Sequence, residues 1–428
     1  MSKVRDILFA LTCAAPAILL WDGLIIQGLV AGVVATVLMI TARRLRPNET
    51  DFFISIIRPL AAVAAVPALW MVIQLLPLRP LAHPVWDSAA AAFGYPLGGA
   101  ISIDLGLSII ALGKYICVTA VVLVAAAVAV DRQRAEWLLV AVTIATALIA
   151  LIVVAYDLVP RLRLPRFAIA QGIDCAAVGT IVAGAAILRT IEPRENRHAS
   201  ASALYLFQST MASSIALAIC WLALLIDRTR AVSGAAACGL AILVCAKIMR
   251  RLGRAALGLT VIALLVTIAA LLLVTITPVE RGENLLVAFA TSSPASSTAL
   301  TARMLSDAPL VGTGAGTFSA LAPIYREIND PPADPMAATT AADASIELGA
   351  PMFWLIVAAT VGAIFILLIA SLHRGRDSFY SAMGGGCLAT LLLLAFTNAG
   401  VFGTATSLIA AVALGLAFAQ CKSRIAHG

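Results

Sequence analysis

Long, uninterrupted apolar runs dominate this chain, and they limit it to a helical fold within a membrane. The runs cover residues 7–21, 24–42, 52–76, 105–130, 137–158, 167–188, 202–226, 231–248, 255–277, 352–372, 379–400 and 403–420, mostly separated by short turns. A hydrocarbon core of about 30 Å takes roughly 20 apolar residues to cross as a helix, and most runs supply that length. They are continuous rather than alternating, a pattern that belongs to helices and excludes a β-barrel. Composition agrees: 62% of residues are hydrophobic and 12% charged, against roughly 25% charged in soluble domains.

The expected fold is therefore all-α, a polytopic bundle of about twelve spans in three stretches. Residues 1–277 hold the first nine spans, 278–350 form one large outer loop containing short helices, and 351–428 hold the last three spans and a cytoplasmic C-terminus. Lys3 and Arg5 precede the first run as in a signal peptide, but no small-residue cleavage site follows. Trp21-Asp22-Gly23 instead reads as a tight turn into a second, retained span. With the N-terminus inside, most of the 29 basic residues fall on the cytoplasmic side, so the positive-inside rule puts both termini there and the loop outside. Those basic turns account for the net charge of +7 without nucleic acid as a partner. All eight cysteines lie in spans or beside the inner face, so neither a disulfide framework nor a metal site is expected.

Some arginines break the orientation rule. Arg161, Arg163 and Arg166 follow the fifth span, Arg228 and Arg230 follow the seventh, and Arg281, Arg303 and Arg326 lie in the large loop. A guanidinium pairs with phosphate in a bidentate way and keeps its proton, which suits a lipid-linked diphosphate. Snorkelling to lipid headgroups is the competing reading, evenly matched for the 161–166 group. Within spans, Arg58 and Lys114 would each cost roughly 2.5 to 3.5 kcal/mol at the membrane centre, so each calls for a polar cavity, a partner or an escape to the interface. Asp157, Asp174 and Asp227 are the acidic groups available to pair with them.

The large loop divides further. A helix is expected over 297–307, followed by a turn at Gly312, Gly314 and Gly316 that leads to Phe318, Pro323 and Tyr325. No βαβ unit surrounds these glycines, so they serve positive φ or close backbone approach and not dinucleotide binding. A second helix is expected over 337–348, closed by Gly349. Asp343 and Glu347 lie four apart on one face of it, where a solvated face is the bland reading.

Four segments together resemble the O-antigen ligase and polymerase-like membrane proteins of bacterial envelopes. They are Trp70, Gln74, Pro77 and Leu78 in WMVIQLLPL; Ile101-Ser102-Ile103-Asp104; Thr229-Arg230-Ala231; and APLVGTGAGTF with the later IELGAP. The resemblance covers most of the chain and rests on the order and spacing of motifs that are individually weak. It implies a multi-pass protein of the bacterial inner membrane that transfers or polymerises glycan at the periplasmic face. The glycan would leave an undecaprenyl-diphosphate carrier for an acceptor hydroxyl, with no metal or cofactor, as in polysaccharide or lipopolysaccharide biosynthesis. Arg230 is the best match to a functional arginine of the family, and Arg228, Arg303, Arg281 and Arg161 are further candidates for the diphosphate. The family's usual His-Asn pair falls on Ala338 and Thr339, and a further family arginine falls near Ser293. Asp343, Glu347 and His83 are then the candidate catalytic groups, His83 in a PLAHPVW segment that also reads as a turn. Partners implied are the lipid-linked glycan, membrane lipid and other polysaccharide-assembly proteins. Two other classes fit the same features: a secondary transporter using Arg58, Lys114 and Asp174, and a non-catalytic assembly partner that lost the histidine.

Overall fold

The computed structural model describes residues 2–44, 47–96, 98–159, 165–191, 203–226, 230–252, 284–290, 293–326, 336–373 and 377–421. Among these the regular structure is helical and contains no strand. Among the described residues nine helices are long and apolar enough to cross a membrane. They are α3 (Leu24–Arg44), α4 (Pro47–Leu75), α6 (Leu105–Ala129), α7 (Arg132–Leu158), α8 (Arg166–Ile191), α9 (Ala203–Ile226), α10 (Arg230–Arg251), α15 (Ala350–His373) and α16 (Ser378–Thr397).

Three expected spans differ from this set. The first is broken into α1 (Ser2–Cys13) and α2 (Ala15–Leu20), because Pro16 stands at the second start and has no N–H to continue the ladder. The last, α17 (Thr404–Ala419), is a shorter apolar helix of 16 residues. The ninth, 255–277, lies outside the described residues.

Short helices fill the rest: α5 (Val85–Phe93) between α4 and α6, then α11 (Leu285–Ala288), α12 (Ala295–Asp307), α13 (Phe318–Tyr325) and α14 (Thr340–Leu348) ahead of α15. Side-chain caps set several of the starts. Asp104 accepts from Leu107 N at 3.0 Å, Asp131 from Gln133 N at 2.9 Å and Thr339 from Ala342 N at 3.1 Å. The Thr339 cap explains why α14 begins three residues later than expected.

The two ends of the bundle carry different chemistry. At one end Arg132 pairs with Asp377 at 3.1 Å, Arg189 with Glu136 at 3.5 Å, Arg250 hydrogen-bonds to Ser378, and Gln420 donates to Ala129 O at 2.6 Å. The opposite end carries residues 284–290, 293–326 and 336–349 and is called the loop end below. Between them the helices pack through small residues. A Cβ on Gly239 of α10 would come within 2.8 Å of Gly386 O on α16, and one on Gly415 of α17 within 2.5 Å of Val122 O on α6. In lipid, association depends on such close packing, since there is no water to drive it.

Gly239→Ala is expected to destabilise the protein by about 1–3 kcal/mol through overpacking against α16. Gly234→Ala is the control. Its Cβ would meet nothing within 4 Å, so helix propensity alone makes it neutral or stabilising by up to about 1 kcal/mol. Thermal unfolding in detergent compares the two, and equal effects would remove the close-approach argument.

Candidate functional site

Non-helical backbone at the edge of a membrane has to find its hydrogen bonds inside the protein. The 309–318 turn does so with side chains from far away in sequence. Gln74, near the end of α4 and fully buried, donates to Val311 O at 3.1 Å and Glu347 O at 2.9 Å, and accepts from Ala315 N at 3.2 Å. The Trp70 indole N–H, one turn earlier, donates to Leu348 O at 2.8 Å. Ser108 of α6 donates to Ala315 O at 2.8 Å, and Ile103 N donates to Thr313 O at 3.0 Å. Thr313 N and Gly314 N donate to Ile346 O and Glu347 O, each at 3.0 Å. Thus WMVIQLLPL, ISID, the glycine turn and the Glu-Leu-Gly exit form one knot in space.

The glycines are required by that knot. Gly312 and Gly314 have φ of 80° and 110°, and a Cβ on either would collide with Glu347 O or Ser102. Gly316 lies against α6, where a Cβ would sit 3.0 Å from Leu107 O and 3.2 Å from Ala111 Cβ.

Asp343 and Glu347 do not form a solvated helix face. Glu347 Oε2 accepts from Gly316 N at 2.7 Å and Oε1 from Phe318 N at 3.0 Å, so this carboxyl holds the turn and opens α13. Asp343, one turn earlier, interacts with Glu347, and its Oδ1 is enclosed without a hydrogen-bond partner. Both residues keep some accessible surface, but the carboxyl groups themselves are enclosed by protein, and that enclosure controls their ionisation. Burial pushes Asp343 well above its ordinary value, and the neighbouring charge of Glu347 pushes the same way. Burial also raises Glu347, to about 7, against the opposing pull of the Gly316 and Phe318 amides, of Asp343 and of Lys114.

Lys114 of α6 completes the cluster, within electrostatic reach of Asp22, Asp343 and Glu347. Asp22 lies in the turn before α3 and accepts from Gln27 Nε2 at 3.0 Å, Thr404 Oγ1 at 2.9 Å and Gln171 Nε2 at 2.8 Å. Burial opposes its ionisation, but those three hydrogen bonds and the charge of Lys114 together hold it below its ordinary value. Beside it Asn398 Nδ2 donates to Asp174 Oδ1 at 2.7 Å, and Asn398 O accepts from Thr340 N at 2.9 Å.

The other sequence candidates are placed differently. His83 is half-buried in its turn: its ring Nδ1 accepts from Val85 N at 3.2 Å, its backbone N–H donates to Ala100 O, and burial lowers its pKa. Arg230 opens α10 at the loop end with its side chain exposed. Neither acts electrostatically on the Asp343–Glu347 pair. Arg303 is half-buried on α12, where its Nε donates to Ala299 O at 3.3 Å. Arg58 is exposed on α4, in keeping with escape to the interface. Arg161, Arg163, Arg228, Thr229 and Arg281 lie outside the described residues.

Ala338, where the family's histidine would fall, is fully buried among Leu286, Val287, Ala341 and Ala342, and its carbonyl accepts from Ser293 Oγ at 2.7 Å. The two places where the resemblance would put a histidine and an arginine therefore meet through this hydrogen bond. Sequence reasoning passed over Asp22 and Gln171 as site residues; the available signal was a glutamine inside an otherwise apolar run. No protein-family model matches the chain, and no curated protein matches it.

The raised carboxyls carry a pH signature. For a carboxyl raised on folding, the contribution to stability is complete below the unfolded value of about 4 and is lost as pH rises through the folded value. The thermal midpoint should accordingly fall as pH rises from about 4 to about 7. Glu347→Gln removes one titrating group and its repulsion on Asp343, so its midpoint should vary less between about pH 5 and 8. Parallel pH profiles for the two proteins would refute this.

Proposed function

We propose that the chain transfers glycan from a lipid-linked diphosphate to an acceptor hydroxyl at the periplasmic face of a bacterial inner membrane. In this reading both termini are cytoplasmic, about twelve spans cross the membrane, and the 284–349 segment lies outside. The concentration of arginines at the end of the bundle opposite the loop supports that orientation.

The observation that carries the reading is the enclosed carboxyl pair beside the glycine turn. A carboxylate near its reference value of about 4 is a weak base at neutral pH. Enclosure raises both carboxyls, Glu347 to about 7, and the charge of Glu347 raises Asp343 further, which answers the absence of the family's histidine. With one proton shared between Asp343 and Glu347, the pair takes the proton of the attacking hydroxyl. The new bond forms at the anomeric carbon, the bond to the diphosphate oxygen breaks, and the electron pair leaves with the diphosphate. Glu347 is already held by two amides, so Asp343 is the member expected to meet the acceptor. Arg230, exposed at the loop end, is the group proposed to neutralise the departing charge.

The part-buried Asp22 and Lys114 and the buried Asp174 favour one second reading, a transporter whose substrate or protons pass along them. Substrate flux in liposomes without bond formation would select it.

Purified protein given lipid-diphosphate glycan and acceptors is expected to transfer glycan. Asp343→Asn should reduce the rate by about 10²–10⁴-fold, and Arg230→Ala should abolish it. Absence of transfer under all conditions, with an unchanged glycan profile in a deletion strain, would defeat the proposal. Wild-type transfer by Arg230→Ala would remove the diphosphate role of that residue.

A further inference from the structure

Lys114 belongs to none of the segments that carry the family resemblance, yet its place in the fold is specific. On α6, Leu107, Ala111 and Lys114 lie at i, i+4 and i+7 and share one face. Gly316 packs on the first two of these residues, so Lys114 comes next beneath the glycine turn. From there it acts on Glu347, which accepts the Gly316 amide, and on Asp343 one helical turn away. All four groups of this cluster, Asp22, Lys114, Asp343 and Glu347, are described residues, and Lys114 makes no ion pair with any of the three carboxyls within 4.0 Å. It is a cation held among three carboxyls from two separate elements without being locked to one.

The surrounding charges narrow its role. Asp22 is engaged by Gln27, Gln171 and Thr404. Asp104 caps α6 through Leu107 N, and Asp174 of α8 is bound by Asn398. Among the described residues, Lys114 is the one cation that acts on the Asp343–Glu347 pair. Two adjacent carboxyls enclosed by protein would otherwise both keep their protons near neutral pH and offer no base.

We propose that Lys114 is a positioning residue for transfer, its charge beneath the glycine turn keeping one member of the Asp343–Glu347 pair ionised. The proposal rests on the transfer reading above. It assigns the lysine to the base and not to the diphosphate, from which three nearby carboxyls would repel an anion.

Infrared difference spectra titrated with pH report the protonated carboxyl band of the pair in the substrate-free protein, with Asp343→Asn and Glu347→Gln assigning it. Lys114→Met is expected to move the midpoint upward by about one pH unit, and Lys114→Arg to keep it near wild type. In the transfer assay Lys114→Met should shift the rising limb of the pH–rate profile upward equally, so that the rate falls about tenfold at neutral pH and recovers at higher pH. A purely structural role would lower the rate at every pH. Lys114→Gln, which keeps polarity and most of the side-chain volume, provides the same comparison should Lys114→Met fail to fold. An unshifted midpoint in an active, folded variant overturns the proposal and leaves the transfer reading standing. A shifted midpoint in a protein that transfers no glycan supports the electrostatic assignment and defeats the transfer reading.

Discussion

Peptide groups that leave a helix at the membrane edge have little water to bond with, and the turn around Gly312, Gly314 and Gly316 depends on how that demand is met. Gln74 makes two hydrogen bonds to it and a third to Glu347 O, Glu347 accepts two of its amides, and Ser108 and Trp70 satisfy the carbonyls of Ala315 and Leu348. Each bond contributes on the order of 1 kcal/mol, while an enclosed group left without a partner costs about 1–3 kcal/mol. The turn is therefore stable only when α4, α6 and α14 are all in place. That requirement ties the loop to the bundle and brings Asp343 and Glu347 inside.

Enclosing Glu347 to hold the turn has a chemical consequence. The carboxyl that organises the backbone is the same one whose proximity raises Asp343, so structural support and acid–base character share a side chain. Lys114 and Asp22 extend this charge cluster into the bundle, and Gln171 and Thr404 bind Asp22 to α8 and α17. At the opposite end, Arg132, Arg189, Glu136 and Asp377 pair across α7, α8 and α16. Two of these four pairing groups are more than a fifth exposed, so the network contributes little stability and mainly keeps charge out of the apolar layer.

Much of this was legible residue by residue. Continuous apolar runs gave the spans, because helix length and hydrocarbon thickness leave few alternatives. The i, i+4 spacing put Asp343 and Glu347 on one face, and three alternating glycines marked a turn with unusual φ, which Gly312, Gly314 and Gly316 adopt. Pro16 was a visible break that hydropathy averaging over 7–21 concealed. The environment of that shared face was not legible: on base rates a polar pair in a polar loop is solvated. Here Ala337–Leu348 packs under α12 and against α15, and the pair points at α6. Asp22 was read as a turn residue, since nothing near it in sequence reveals that Gln171 and Thr404 converge on its carboxylate.

The sequence by itself determined a helical membrane protein, the position of its polar loop, and the residue types available for chemistry there. Those follow from local quantities: run length, charge at the turns, and helical periodicity. Only the tertiary structure decided which charges meet. Lys114 is 229 positions before Asp343, and Gln74 is 273 before Glu347. No periodicity spans such distances. Ionisation depends on distance and enclosure in space, so a carboxyl pair that looks solvated in sequence becomes, once α4, α6 and α14 close around it, a desolvated pair with a lysine beneath it.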